Sequence, residues 1–296
     1  MEILSACPIC YSEKIGATLE IKDYSISKES FSLYQCQICR FLFTNPRPAK
    51  DEISKYYESP DYISHSNSKT GLVNRIYQVI RKYSIRKKIR LISRYAGADR
   101  TILDIGCGTG EFLMECKGQN WIVKGIEPNK QARDFCIENY KLDVLPEVGI
   151  NSIVQKSFKI ITMWHVLEHV HELKERVKSL HNIIKDQGYA IIALPNHQSY
   201  DAELYENYWA AYDIPRHLYH FSPSNIKDLF VHSGFEWVES IPMKFDSFYV
   251  SILSEKYKEN RFPLLNGFFS GLKSNMNAGK DSEKYSSVIY VFKKKS

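Results

Sequence analysis

The sequence predicts an α/β protein: a doubly wound, mostly parallel sheet behind a small N-terminal cysteine module. Three observations carry that prediction. The first is Thr101-Ile102-Leu103-Asp104-Ile105-Gly106-Cys107-Gly108-Thr109-Gly110-Glu111-Phe112-Leu113. It reads as a buried strand, a tight G-x-G-x-G turn and the start of a helix. The second is the strand, helix and strand pattern between Phe158 and Asn196, with a glycine break at Gly188. That alternation is the mark of a parallel sheet. The third is a pair of C-x2-C knuckles, Cys7/Cys10 and Cys36/Cys39, near the N-terminus.

The glycine turn carries the chemistry. Glycine permits positive φ, and without a Cβ it lets a ligand lie directly on the backbone. The spacing differs from the G-x-G-x-x-G that brings a pyrophosphate to a helix N-terminus. Asp104, just ahead of the turn, would repel a diphosphate but suits an amino group or a cation. S-adenosylmethionine offers both, as an α-ammonium and a sulfonium. Glu127 ends the next strand, Val123–Glu127, about twenty residues past the turn, where doubly wound folds place the carboxylate for ribose hydroxyls.

On these residues the chain resembles the class I S-adenosylmethionine-dependent methyltransferases, over residues 99–296. The resemblance implies a Rossmann-like, seven-stranded sheet. It implies cofactor contacts at Asp104, Gly106, Cys107, Gly108, Gly110, Glu127 and the adjoining Pro128. It also places Trp164 and His165, at the end of the Phe158–Trp164 strand, beside the methionine part of the cofactor. Glu147 is the candidate for the adenine amine. The competing reading of Gly106, Gly108 and Gly110 is a structural turn in another α/β domain.

Composition narrows the class. At 296 residues the chain accommodates one sizeable core and a small module. No apolar run approaches the ~20 residues of a membrane helix. The opening residues lack a secretory pattern, so a cytoplasmic location is expected. A net charge of +6 is compatible with acidic substrates and does not demand nucleic acid.

Seven cysteines in such a chain read as metal ligands and free thiols. Cys7, Cys10, Cys36 and Cys39 resemble a zinc ribbon over residues 1–48, with Leu19, Ile21, Phe31 and Leu33 supplying a hairpin between the knuckles. Four thiolates would close the tetrahedron, so Zn2+ is expected to be structural. The competing reading is a reduced or redox-active thiol pair. Cys107, Cys116 and Cys136 look like small buried residues.

Residues 49–98 connect the two parts. Asp51–Tyr57 is expected to be a short helix, 59–71 a loop and Leu72–Tyr95 a long basic helix. Its cations read either as a surface for RNA, a phosphorylated sugar or an anionic membrane, or as the solvated side of a packed helix; the second is favoured. Further helices are expected at Lys130–Asn139, Glu172–Lys185 and from Ile226. Strands are expected at Tyr189–Asn196 and, as a closing pair, at Phe235–Glu239 and Ser287–Phe292.

Ligands of open α/β sheets lie beyond the carboxyl ends of the strands. The aromatic loop 197–222 is therefore the expected acceptor segment. Its run Pro215-Arg216-His217-Leu218-Tyr219-His220-Phe221-Ser222 resembles a segment of methyltransferases that modify surface polysaccharides and small molecules. Methyl transfer is an in-line displacement, so the protein aligns the acceptor and removes its proton. His217, His220 and His165 are the candidate bases, the first two ahead, and Arg216 is a candidate for an acceptor anion. The structural alternatives are a backbone bond for His217 and core packing for His220. An apolar insertion at 249–280 reads as a lid, a dimer contact or a shallow membrane dock. The expected activity is O-methylation of a small molecule, glycan or nucleotide-sugar acceptor. The alternatives are RNA or protein modification and a cofactor-binding scaffold without turnover.

Overall fold

The computed structural model describes residues 1–57 and 72–295, with side chains in the second stretch from residue 80. The loop expected at 59–71 lies outside the described residues. The N-terminal part is an antiparallel hairpin, Ile15–Lys22 (β1) and Ser30–Cys36 (β2), followed by Leu42–Thr44 (β3). The helix expected at Asp51–Tyr57 is reduced to one 3-10 turn, Ile53–Tyr56. A long helix, Leu72–Ala96 (α1), leads into the sheet domain.

That domain alternates Thr101–Ile105 (β4), Glu111–Lys117 (α2), Ile122–Ile126 (β5), Lys130–Tyr140 (α3), Val144–Leu145 (β6), Phe158–Trp164 (β7), Leu173–Ile183 (α4) and Ile184–Pro195 (β8). Then come Tyr200–Tyr205 (α5), Tyr219–His220 (β9), Pro223–Val231 (α6), Phe235–Pro242 (β10), Asp246–Tyr257 (α7), Pro263–Ala278 (α8) and Ser287–Lys294 (β11). Seven strands form one sheet in the order β10-β11-β8-β7-β4-β5-β6. Only β11 is reversed, antiparallel to both of its neighbours. The doubly wound, Rossmann-like fold expected from the sequence is present.

Apolar periodicity builds the two layers. Ile89, Ile92, Phe112, Leu113, Cys116 and Cys136 form one core cluster with strands β4, β7, β8 and β11. Leu173, Val177, Leu180, Ile226, Leu229 and Phe230 form the other. The cations Arg86, Lys87 and Arg90 of α1 are exposed, as a packed helix with a solvated side requires. No helix of the described residues is long and apolar enough to cross a membrane.

One boundary departs from expectation. The helix expected to run to Lys185 ends at Ile183, and Gly188 lies inside β8 rather than stopping a helix. Ile184 pairs with Phe158, and the register shifts between Phe158 and Ile160. At Gly188 an added Cβ would stand 2.8 Å from the Lys159 carbonyl, so the close approach of β7 selects glycine there.

The cysteine part is joined to the domain through its sheet. The order is β1-β2-β3-β9, and β9 comes from the loop at 197–222. Leu42 pairs with His220 and Phe43 with Tyr219. Cys7, Cys36, Phe41 and Phe43 share one buried cluster with Leu218, Tyr219 and Phe221.

Candidate active site

The glycine bend sits between the carboxyl ends of β4 and β5. Gly106, Gly108 and Gly110 have φ of 74°, 56° and 79°, values that a Cβ disfavours. Neighbours fix two of them further. A Cβ at Gly106 would lie 2.4 Å from the Val166 side chain, and one at Gly110 2.8 Å from the Cys136 sulfur. At Gly108 nothing stands within 4 Å. The bend therefore has packed flanks and a bare centre open to a ligand.

Two carboxylates frame it. Asp104 is 2% exposed, and its Oδ1 accepts from the Thr162 hydroxyl at 2.6 Å. Burial pushes its carboxyl up to about 7, against the pull of the Thr162 bond and the Lys88 charge. Glu127 accepts from the Gly108 amide at 2.8 Å and from the Asn129 amide at 2.9 Å. Burial raises it too. Its neighbour Pro128 uses its carbonyl on Arg133. Cys107 lies within the bend, but its sulfur packs back on β5, 2.7 Å from where a Gly125 Cβ would be. Glu147 opens the turn after β6 and is ion-paired with Arg176.

Trp164 closes β7. Its ring meets Phe112 edge-on at 5.8 Å, and its Nε1 is buried without a partner. Lys88 of α1 holds its ammonium 4.2 Å from the Trp164 ring centroid. Burial lowers its pKa, while Asp104 and Asp246 act in the other direction. Among the described residues no anion lies within ion-pair distance of Lys88. The bare Gly108, the orphaned indole N–H and this free cation fit a zwitterionic nucleoside such as S-adenosylmethionine.

His165 follows Trp164 in the left-handed region, at φ 57°. Its Nε2 lies 3.2 Å from Asp246 Oδ2 and its Nδ1 3.5 Å from Glu168 Oε1. Burial works against its charge, but the two carboxylates win and raise it to about 9. His165 is therefore a cation at neutral pH, with its side chain 33% exposed.

His217 and His220 are placed differently. His217 Nδ1 donates to the Ala211 carbonyl at 2.9 Å, and burial brings the ring down to about 4. The Thr44 hydroxyl donates to the His217 carbonyl, so His220 Nε2 donates to Thr44, 3.2 Å away. Burial, with His217 and His197 nearby, depresses His220 well below the ordinary histidine value. Arg216 bonds Asp213 at 2.6 Å, Asp23 at 3.3 Å and the Tyr56 carbonyl at 3.1 Å. These three residues join β9 and its loop to the cysteine part.

Sequence reasoning passed over Lys88, Glu168 and Asp246. Lys88 sits on the inward stripe Ile85, Ile89, Ile92, where a cation is out of place unless it has a task. Glu168 is 1% exposed among three histidines and shows no local sign in sequence. Asp246 comes from the insertion, far away along the chain.

At the other end of the molecule, Cys7 and Cys39 sulfurs lie 3.5 Å apart, as do those of Cys10 and Cys36. All four fall within 4.8 Å of one another. A tetrahedron of ~2.3 Å metal–sulfur bonds has edges of about 3.8 Å, so the set fits one Zn2+. The knuckles are alike: Cys7 O accepts from Tyr11 N and Cys36 O from Arg40 N, each at 3.0 Å. Tyr11 and Arg40 both adopt positive φ, 61° and 60°.

A protein-family description, "Methyltransferase domain", matches residues 77–240, which cover the glycine bend, both carboxylates and His165. The chain belongs to that family. It is an S-adenosylmethionine-dependent methyltransferase. Among curated proteins it is similar to the ubiquinone biosynthesis O-methyltransferase of Rickettsia bellii, 28% identical over 157 residues, covering 50% of this chain and 62% of the relative. The corresponding Rickettsia canadensis protein is 23% identical, over 63% of this chain and 83% of its own. The chain thus spans less than two thirds of the first relative's length. In structure this methyltransferase is similar to a putative sarcosine dimethylglycine methyltransferase from Galdieria sulphuraria, with a TM-score of 0.51, 11% identity and coverage of 75% and 88%. A phosphoethanolamine N-methyltransferase from Haemonchus contortus gives 0.50 and 14%, over 71% of this chain and 53% of that one. At such identities the likeness is one of fold.

Proposed function

We propose that this methyltransferase O-methylates a small molecule, with His165 at the acceptor hydroxyl. The observation that carries the proposal is the His165 ring, held between Glu168 and Asp246 at the carboxyl end of β7. Bound S-adenosylmethionine supplies an electrophilic methyl group. Glu127 would take the ribose hydroxyls, Asp104 the cationic amino end and Lys88 the carboxylate. His165 does the proton work. Glu168 faces the ring as an ion-pair partner, 3.5 Å from Nδ1. An acceptor that displaces Asp246 from Nε2 removes one of the two anions raising the ring. The ring then releases its Nε2 proton to solvent, and the neutral Nε2 takes the hydroxyl proton as the oxygen bonds to the methyl carbon and the carbon–sulfur bond breaks. His217 and His220 have no comparable role in this reading, because both are spent on the fold.

The cysteine part is proposed to hold structural Zn2+ through Cys7, Cys10, Cys36 and Cys39. The O-methyltransferase relatives favour a hydroxyl acceptor over an RNA or protein target. The test is transfer of a labelled methyl group to matched phenolic, glycan and nucleotide-sugar acceptors, for the wild type and His165→Gln. The reading expects label on a small hydroxyl compound and its loss in the variant. Label appearing only on RNA or protein, or full turnover by His165→Gln, would overturn it.

A further inference from the structure

Helix α8 is turned inside out relative to an ordinary surface helix. Its buried residues are Gly267, Gly271, Ser274 and Ala278. They let α8 meet α7 almost backbone to backbone: a Cβ at Gly267 would stand 2.5 Å from Ile252 Cα, and one at Gly271 2.8 Å from Phe248 Cα. The large apolar side chains point the other way. Leu264, Leu265, Phe268, Phe269, Leu272 and Met276 are 67%, 57%, 49%, 58%, 40% and 71% exposed. At the helical repeat they fall within an arc of about 140°. Phe248 stacks on Phe268, but the stripe is otherwise exposed among the described residues, and a contiguous apolar patch of this kind marks an interaction surface.

The charges say what it meets. From Asn260 to Lys280 the charged residues are Arg261, Lys273 and Lys280, all exposed, with acids only at the flanks, Glu259 and Asp281. Two second copies facing each other here would oppose like charges. An anionic bilayer instead offers hydrocarbon to the Phe and Leu side chains and headgroups to the cations. We propose that α8 docks this protein on an anionic lipid bilayer. The docking is independent of the acceptor chemistry proposed above. It has a consequence for the site, since Asp246, which holds His165, opens the helix against which α8 packs.

The test is co-sedimentation of the full chain with vesicles of phosphatidylcholine alone or mixed with phosphatidylglycerol. Binding to the mixed vesicles is expected to be about tenfold stronger or more and to fall with added salt. The double variant Phe268→Asp with Phe269→Asp should lose it, and Lys273→Glu should weaken it, with cofactor binding by calorimetry retained in both. Should the double variant fail to fold, Met276→Glu at the most exposed position serves. No binding to mixed vesicles by wild type that binds cofactor overturns the proposal. So does a dimer that Phe269→Asp dissociates without any vesicle binding.

Discussion

The glycine bend and the 197–222 loop both carry polar residues in motif-like spacing, yet they are put to opposite uses. In the bend, Asp104, the glycines and Glu127 converge on open space within about twenty-five residues of chain. In the loop, Arg216, His217 and His220 converge on protein, namely Asp23, Ala211 and Thr44. A chemically able side chain can serve catalysis only if its contacts leave it an opening to the site. His165, three residues past Thr162 in the strand-to-turn segment, keeps its Nε2 toward Asp246 at the start of α7, with its side chain 33% exposed. The loop histidines have theirs turned inward.

The largest effect expected from this contrast is on turnover. His165→Gln should lower kcat by ~10²-fold or more with cofactor affinity and melting temperature near wild type. Equal loss from His217→Gln, at unchanged melting temperature, would reverse the assignment of the two regions. Next in size is Asp104→Asn. Calorimetry should show cofactor affinity reduced on the order of a hundredfold, because a buried charge loses its partner.

Arg216→Ala sharpens the other side. It leaves Asp23, 2% exposed, without its cation. The cost should be about 3 kcal/mol of stability, read as a lowered denaturation midpoint with cofactor affinity intact. Amide bonds from Ser27 and Ser25 and the Arg216 charge outweigh burial and hold Asp23 well below the usual carboxylate range. Its contribution is therefore complete above the ordinary aspartate value of about 4 and fades as pH falls toward the lowered one. Chelating the proposed Zn2+ should loosen the same region, since Cys7 and Cys36 share a core with β9.

The smallest effects are in pH. Asp104 is held up to about 7, so the anion proposed to meet the cofactor's cationic end is depleted below neutrality. Cofactor affinity should fall about tenfold for each unit below that value. His165 stands at about 9, which sets a second, higher limb in kcat/KM. Asp246→Asn removes one of the anions holding it there and should move that limb to lower pH.

What the sequence made legible follows the same division. The sheet, the bend and the cysteine knuckles were readable because backbone geometry and covalent spacing are local. Gly106, Gly108 and Gly110 announce a conformation that other residues resist. The extent of β8 was not readable, because Ile184 is apolar in helix and strand alike and its pairing with Phe158 decides. Nor was the fate of His217, which depends on Thr44, far away along the chain, as well as on the nearby Ala211. Lys88 stood in plain view on an inward stripe, hidden by its basic neighbours.

The most direct measurement is the structure of the full chain with S-adenosylhomocysteine bound. The account predicts ribose hydroxyls on Glu127, the carboxylate at Lys88 and the sulfur opening toward His165 Nε2. A sulfur facing His217 and His220, or a nucleoside bound away from Glu127, would contradict it.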